Sequence, residues 1–208
     1  VDLFYGIVSG NSARAVFGVL ESGAPFVGHP VDASKGEHRD AWYVAHNPMG
    51  KMPSLVDGAF TLWESNAING YVAEKHPESA LLPKTIEGRA AVQRWLYFQV
   101  GHVSPACLPI FRATVPRVQA FWSVQPDAKA VEAGRKDLGR FLPVLEEALA
   151  RREWLEGPFS LADIAFAPHF WLIAEGGFDF SATPAIRAWL DRLFARPAWR
   201  KTTQLVWG

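Results

Sequence analysis

One cysteine, Cys107, is all the thiol chemistry in this 208-residue chain. A lone cysteine rules out an internal disulfide and a Cys-x-x-Cys redox pair, and it is compatible with a reducing compartment. Charge of one sign is lacking too. Lys and Arg total 21, Asp and Glu total 21, and the formal net charge is zero. That balance argues against an electrostatic nucleic-acid binder and against a partner of anionic membranes. No apolar run reaches the roughly 18–20 residues of a membrane span. Val1 to Gly6 has neither a basic region nor a long apolar core, so no signal peptide is expected and the expected location is cytoplasmic. The sequence shows no internal repeat, no low-complexity segment, no metal-ligand cluster, no phosphate-cradling glycine loop and no Ser/His/Asp order. A metal site is therefore not expected.

What is present suits a folded chain. Apolar residues make up 49% of the sequence, enough for a core in one compact unit or two small domains. The most informative stretch is Asn47-Pro48-Met49-Gly50-Lys51-Met52-Pro53-Ser54-Leu55-Val56-Asp57-Gly58, followed by Glu64-Ser65-Asn66-Ala67-Ile68. Asp57-Gly58 between Leu55-Val56 and Phe60-Thr61-Leu62-Trp63 predicts a β-hairpin, because both turn residues tolerate positive φ. Pro53 heads the first strand, where a missing N–H breaks no ladder bond. Ser65 reads as the N-cap of a helix with Ile68, Tyr71 and Val72 on one face. Pro77 closes that helix. A cis Met52-Pro53 bond would turn the Met52 backbone outward to pair with an extended ligand. Only about 5–6% of X–Pro bonds are cis, so sequence alone does not establish it. The start of the Ser65 helix offers free N–H groups to a carboxylate, and Glu64 beside it suits an ammonium.

Taken in order, Leu3 to Val8 reads as a buried strand and Ser9-Gly10-Asn11-Ser12 as a turn with two possible caps. Ala13 to Ser22 is a helix with Gly23 as its C-cap. Phe26 to Val31 is a strand whose Pro30 argues for an edge position. Pro77 to Thr85 is a linker, and everything beyond it has helical periodicity. A helix from Glu87 to about Val103 should kink or break at Pro105 and Pro109. A second runs from Asp127 to Arg152, with a kink or boundary at Pro143. Ser160 caps another helix, with Asp163 at the capping-box position and Phe159 and Ile164 placed as a hydrophobic staple.

The ordered motifs Asn47-Pro48-x-Gly50-Lys51-Met52-Pro53-Ser54-Leu55, the Asp57-Gly58 hairpin and Glu64-Ser65-x-Ala67-Ile68 resemble the glutathione-binding half of the cytosolic glutathione transferases. Ser160-x-Ala162-Asp163 is similar to the box that these proteins carry in a buried helix of their C-terminal domain. The resemblance covers nearly the whole chain and is of the serine-type, theta-like or another bacterial class. One departure is Gly50, which stands where some members have histidine.

The resemblance implies an α/β thioredoxin-like domain over residues 1–78, built on a four-stranded mixed sheet. An all-α domain over residues 86–208 would supply a hydrophobic pocket. It implies conjugation of glutathione to a small hydrophobic electrophile, a detoxification chemistry, by a homodimer. Ser9 is the leading candidate to stabilise the glutathione thiolate, Asn11 competes through its amide N–H₂, and Ser12 reads better as a helix cap. Tyr5 lies mid-strand and fits less well. Glu64 and Ser65 would hold the γ-glutamyl end, Met52 and Pro53 the cysteinyl backbone, and His38 and Lys51 the glycine carboxylate. Phe98, His102, Pro105, Ala106, Phe111 and Trp171 are expected near the electrophile. Another glutathione-dependent reaction (disulfide reduction, isomerisation, dehalogenation or ether cleavage) and a non-catalytic binding protein are the alternatives.

Overall fold

Strand β1 (Asp2–Gly6) lies between parallel β2 (Val27–Val31) and antiparallel β3 (Ser54–Asp57), and β4 (Phe60–Trp63) completes the order β2-β1-β3-β4. The computed structural model describes residues 1–123 and 125–208. They form two units, one of Val1–Leu82 with Pro197–Gly208 and one of Pro83–Arg196.

In the first unit, Leu3 and Tyr5 of β1 alternate into the core, as the two-residue period of a strand requires. Pro30 sits on the edge strand, where its missing donor is harmless. The β3–β4 hairpin is shifted by one position from the sequence expectation. Asp57 pairs with Phe60, so the turn residues are Gly58 and Ala59, and Gly58 supplies φ +60° at the first of them. Helix α1 (Gly10–Ser22) ends on Gly23 in the left-handed conformation, φ +71°. Two single-turn 3₁₀ segments and the short α2 (Ala41–Val44) lead to β3, and α3 (Ser65–Lys75) follows β4. Val16 and Val19 of α1 and Ile68 and Val72 of α3 share a core with Leu3 and Leu55.

The second unit comprises α4 (Ile86–Phe98), α5 (Ser104–Thr114), α6 (Pro116–Trp122), α7 (Ala128–Leu149), α8 (Leu161–Glu175) and α9 (Pro184–Ala195). Pro105 does not end the helix. A π-turn, Gln99–Val103, ends two positions before Pro105, and a widened turn is a known way to house a residue that lacks an N–H and crowds the carbonyl four positions back. Pro109 and Pro143 also lie within continuous helices. The cap of α8 forms as its spacing predicts. Asp163 accepts from Ser160 N at 3.0 Å, from Leu155 N at 3.0 Å and from Trp189 Nε1 at 2.9 Å, fully buried. Burial raises its carboxyl to about 6 against the pull of those donors.

Helix α10 (Pro197–Trp207) belongs with the first unit, whereas the sequence reading runs the helical domain to residue 208. Its buried Trp199 meets Phe17 of α1 edge-on at 5.3 Å, and Val206 O accepts from Val8 N at 2.8 Å.

Candidate functional site

The loop between β1 and α1 is strained before it is functional. Val8 has φ +51°, a conformation that a β-branched residue rarely adopts. Helix α1 then begins at Gly10, three residues earlier than its apolar periodicity suggests. Ser9 is the N-cap, with Oγ accepting from Ser12 N at 3.3 Å. The sequence preference for Ser12 as the cap is thereby corrected. Ser12 lies in the first turn, fully buried, and its Oγ accepts from Gly6 N at 2.8 Å. That hydroxyl ties β1 to α1 and is not offered to a ligand.

Asn11 is exposed on the same first turn. Its Oδ1 accepts from Arg14 Nη1 at 2.8 Å. An arginine only donates, so the oxygen of the amide must face it and the two Nδ2 hydrogens face away. Ser9 is half-buried; its Oγ already accepts a bond and keeps its own proton to give. Tyr5 is buried in β1, and burial raises its phenol.

The second cluster surrounds the start of α3. Glu64, not Ser65, occupies the N-cap position, with φ +71°, ψ 115° and no side-chain cap bond. Backbone outside the ordinary regions costs on the order of 1–3 kcal/mol and gathers at ligand sites. Ser65 is the first helical residue and is buried. Its Oγ turns inward to accept from Arg14 Nη1 at 2.9 Å, which explains why it does not cap. The structure thus brings Asn11 and Ser65 to one nitrogen, although 51 positions separate Arg14 from Ser65.

The third cluster is the approach to β3. Met52-Pro53 is cis. The Met52 side chain is buried against Val31 and Tyr43, so only its backbone is available. Lys51 is exposed, and its carbonyl accepts from Tyr43 Oη at 2.7 Å and Asn47 Nδ2 at 2.5 Å. Asn47 Oδ1 also accepts from Met49 N at 3.0 Å. His38 lies in the 3₁₀ turn Glu37–Arg39, and its carbonyl is 3.1 Å from where a Cβ on Gly50 would stand. Gly50, at φ +57°, therefore lets the His38 and Lys51 segments meet.

Arg14, Asn47 and Asn69 are the residues that sequence reading missed. Arg14 is 2% exposed. Burial lowers its guanidinium to about 10, with the charge of Glu64 opposing, so it stays charged at neutral pH. Asn69 Nδ2 donates to the Arg14 carbonyl at 2.9 Å. A buried cation on the first helix, facing a distant serine, is signalled in sequence only by an arginine within an apolar face.

In the second unit, Phe98, His102 and Phe141 form a ring cluster with centroids 5.4–5.7 Å apart. Ala106 is buried, Phe111 stacks on His169, and the Arg117 guanidinium lies 4.6 Å over Trp171. Pro105 is exposed. Cys107 is fully buried, and burial raises its thiol, which disfavours it as a nucleophile. Among the described residues, no group of three or more His, Cys, Asp or Glu is placed to hold a metal, and no helix is long and apolar enough to cross a membrane.

Comparison with known proteins matches these features. The family model "Glutathione S-transferase, N-terminal domain" covers residues 2–74, and "Glutathione S-transferase, C-terminal domain" covers residues 102–197. Glutathione S-transferase F10 of Arabidopsis thaliana is 35% identical over 206 residues, 96% of this chain and 94% of that protein. The crystal structure of glutathione transferase F2 from Populus trichocarpa superposes with a TM-score of 0.89 at 25% identity, covering 98% of this chain and 97% of that one. A theta-class glutathione S-transferase from Xanthomonas axonopodis pv. citri, solved with glutathione bound, gives 0.87 at 28% identity, covering 100% and 97%. With both halves matched and the strand order and buried cap in place, the chain belongs to the glutathione S-transferase family.

Proposed function

We propose that this protein binds glutathione in its first unit, holds the thiol as thiolate at the start of α1, and transfers it to a small hydrophobic electrophile. The observation that carries this reading is the juxtaposition of two helix N-termini through Arg14. One bears Asn11 with its donors turned outward, and the other is preceded by the strained Glu64. A helix N-terminus favours negative charge, so α1 suits the thiolate and α3 the γ-glutamyl carboxylate. Glu64 holds the ammonium, the Met52 backbone beside Pro53 meets the cysteinyl unit, and His38 and Lys51 approach the glycine carboxylate.

A free cysteine thiol has a pKa of about 8.5, and each unit of depression needs about 1.4 kcal/mol in favour of the anion. The geometry supports Asn11 ahead of Ser9 as the donor, reversing the sequence preference. Asn11 has its amide oriented by Arg14, whereas the Ser9 hydroxyl, whose proton the cap leaves unused, has no charged side chain aiming it. The thiol proton leaves to solvent. The sulfur lone pair forms a carbon–sulfur bond, and the leaving group departs with its bonding electrons. Cys107 takes no part, which leaves mixed-disulfide chemistry without a protein thiol.

The unit-by-unit surfaces support a homodimer. Phe60 and Trp63 are 45% and 38% exposed in the first unit, and Ile86 and Tyr97 are 81% and 71% exposed in the second. Neutral charge and the absence of a spanning helix among the described residues fit a cytoplasmic location. Incubation with glutathione and an activated aryl chloride tests the activity. Thioether and chloride should appear in equal amounts, well above the uncatalysed rate. No excess thioether, or oxidised glutathione as the product, would contradict the proposal.

A further inference from the structure

We infer that Arg14 is a positioning residue that couples the thiol-activating end of the site to the γ-glutamyl end, an inference that rests on the function proposed above. Nη1 carries two hydrogens. One goes to Asn11 Oδ1 at 2.8 Å and the other to Ser65 Oγ at 2.9 Å. The guanidinium is planar, so the directions of the two bonds are set together. The first bond points the Asn11 Nδ2 hydrogens outward from α1. The second holds Ser65 at the start of α3. The amide that meets the sulfur is thereby aligned with the segment that grips the other end of the same ligand.

The surroundings leave Arg14 little freedom. It is 2% exposed. Asn69 of α3 donates to its carbonyl, and Gly18, one turn further along α1, leaves no room for a Cβ against the Asn69 amide, 2.3 Å away. The α1–α3 register is thus fixed at the backbone of Arg14 as well as at its side chain. Only the side chain, however, reaches both Asn11 and Ser65. A lysine keeps the charge but offers a point cation on a flexible stem, which cannot hold both acceptors in one plane.

The test is the ultraviolet thiolate absorbance of bound glutathione, titrated with pH in the wild type, Arg14→Lys, Asn11→Ala and the double variant. A wild type that binds no glutathione, or binds it with an unshifted thiol, refutes the proposed function and not this coupling. Given a depressed wild-type pKa, Arg14→Lys should raise it by about one unit, a roughly tenfold loss of thiolate preference. Adding Arg14→Lys to Asn11→Ala should change it no further, because Arg14 acts through Asn11. An unchanged pKa in Arg14→Lys, or additive shifts in the double variant, overturns the inference. Asn69→Ala separates a structural role: it should lower the melting temperature and leave the thiol pKa in place. An equal shift there would assign the effect to helix register and overturn the role of the side chain. Should Arg14→Lys fail to fold, side-chain ¹⁵N relaxation of the wild type decides. The exposed Asn11 amide should be as ordered as the backbone around it, and mobility like that of other exposed amides overturns the inference.

Discussion

The amide of Val8 donates to the carbonyl of Val206 at 2.8 Å, so the last helix of the chain fastens the loop that precedes Ser9. Trp199 anchors that helix, buried to 2% exposure against Phe17. Trp199→Ala should destabilise the protein by about 3–5 kcal/mol, the usual range for deleting a buried tryptophan side chain. Chemical denaturation measures this, and a loss below about 1 kcal/mol would show that α10 is not integral to the first unit.

Helix α10 marks where sequence reading stops. The strands, α1, the capped α8 and the residues 47–68 motif are legible because their signals are local: alternation, a cap, a turn, a capping box. The grouping of α10 with α1 depends on contacts between chain ends that no periodicity encodes. The start of α1 is hidden for a related reason. Gly10 is a poor helix former, yet Ser9 caps the helix there, so helix α1 begins before its apolar pattern does. Serine favours a cap position, yet Ser65 is the first residue inside α3. Its true partner, Arg14, is 51 residues away. The motif itself is legible in sequence, but the buried Arg14 that braces it is not.

Two glycine substitutions should have opposite signs. A Cβ at Gly18 would stand 2.3 Å from the buried, hydrogen-bonded Asn69 amide. Gly18→Ala should therefore cost about 1–3 kcal/mol through overpacking. Gly139, exposed within α7 with nothing near its Cβ position, should gain about 0.5–1 kcal/mol as alanine. Denaturant midpoints compare the two. A neutral Gly18→Ala would mean that the α1–α3 contact is loose.

Asp163 should leave a signature in acid. Its carboxyl is raised by burial to about 6 in the folded protein, against about 3.9 in an unfolded chain. Between those values the folded state holds more protons, so stability contributed by this group is present below pH 4 and declines as pH rises to 6, by on the order of 3 kcal/mol. Comparing the pH dependence of unfolding in the wild type and Asp163→Asn isolates the effect. The wild type should lose stability relative to the variant over that window. A relative gain would mean that its hydrogen-bond donors outweigh burial.

Glu64→Gln keeps the shape of the side chain and removes its charge. Glutathione affinity should fall about tenfold or more, as expected when a hydrogen bond to a charged group loses its ion. An S-methyl analogue, which lacks the thiol, should lose affinity equally, because the ammonium contact is remote from sulfur. Calorimetry with both ligands checks this. Unchanged affinity would remove Glu64 from the site.

The most direct measurement is the thiolate absorbance of glutathione bound to the wild-type protein and to Asn11→Ala as pH is varied. Wild type should depress the thiol pKa at least one unit below the free value of about 8.5, and Asn11→Ala should return most of that shift while retaining glutathione. A bound thiol that titrates like free glutathione would contradict the account. A shift that survives Asn11→Ala but is lost in Ser9→Ala would contradict the assignment of Asn11.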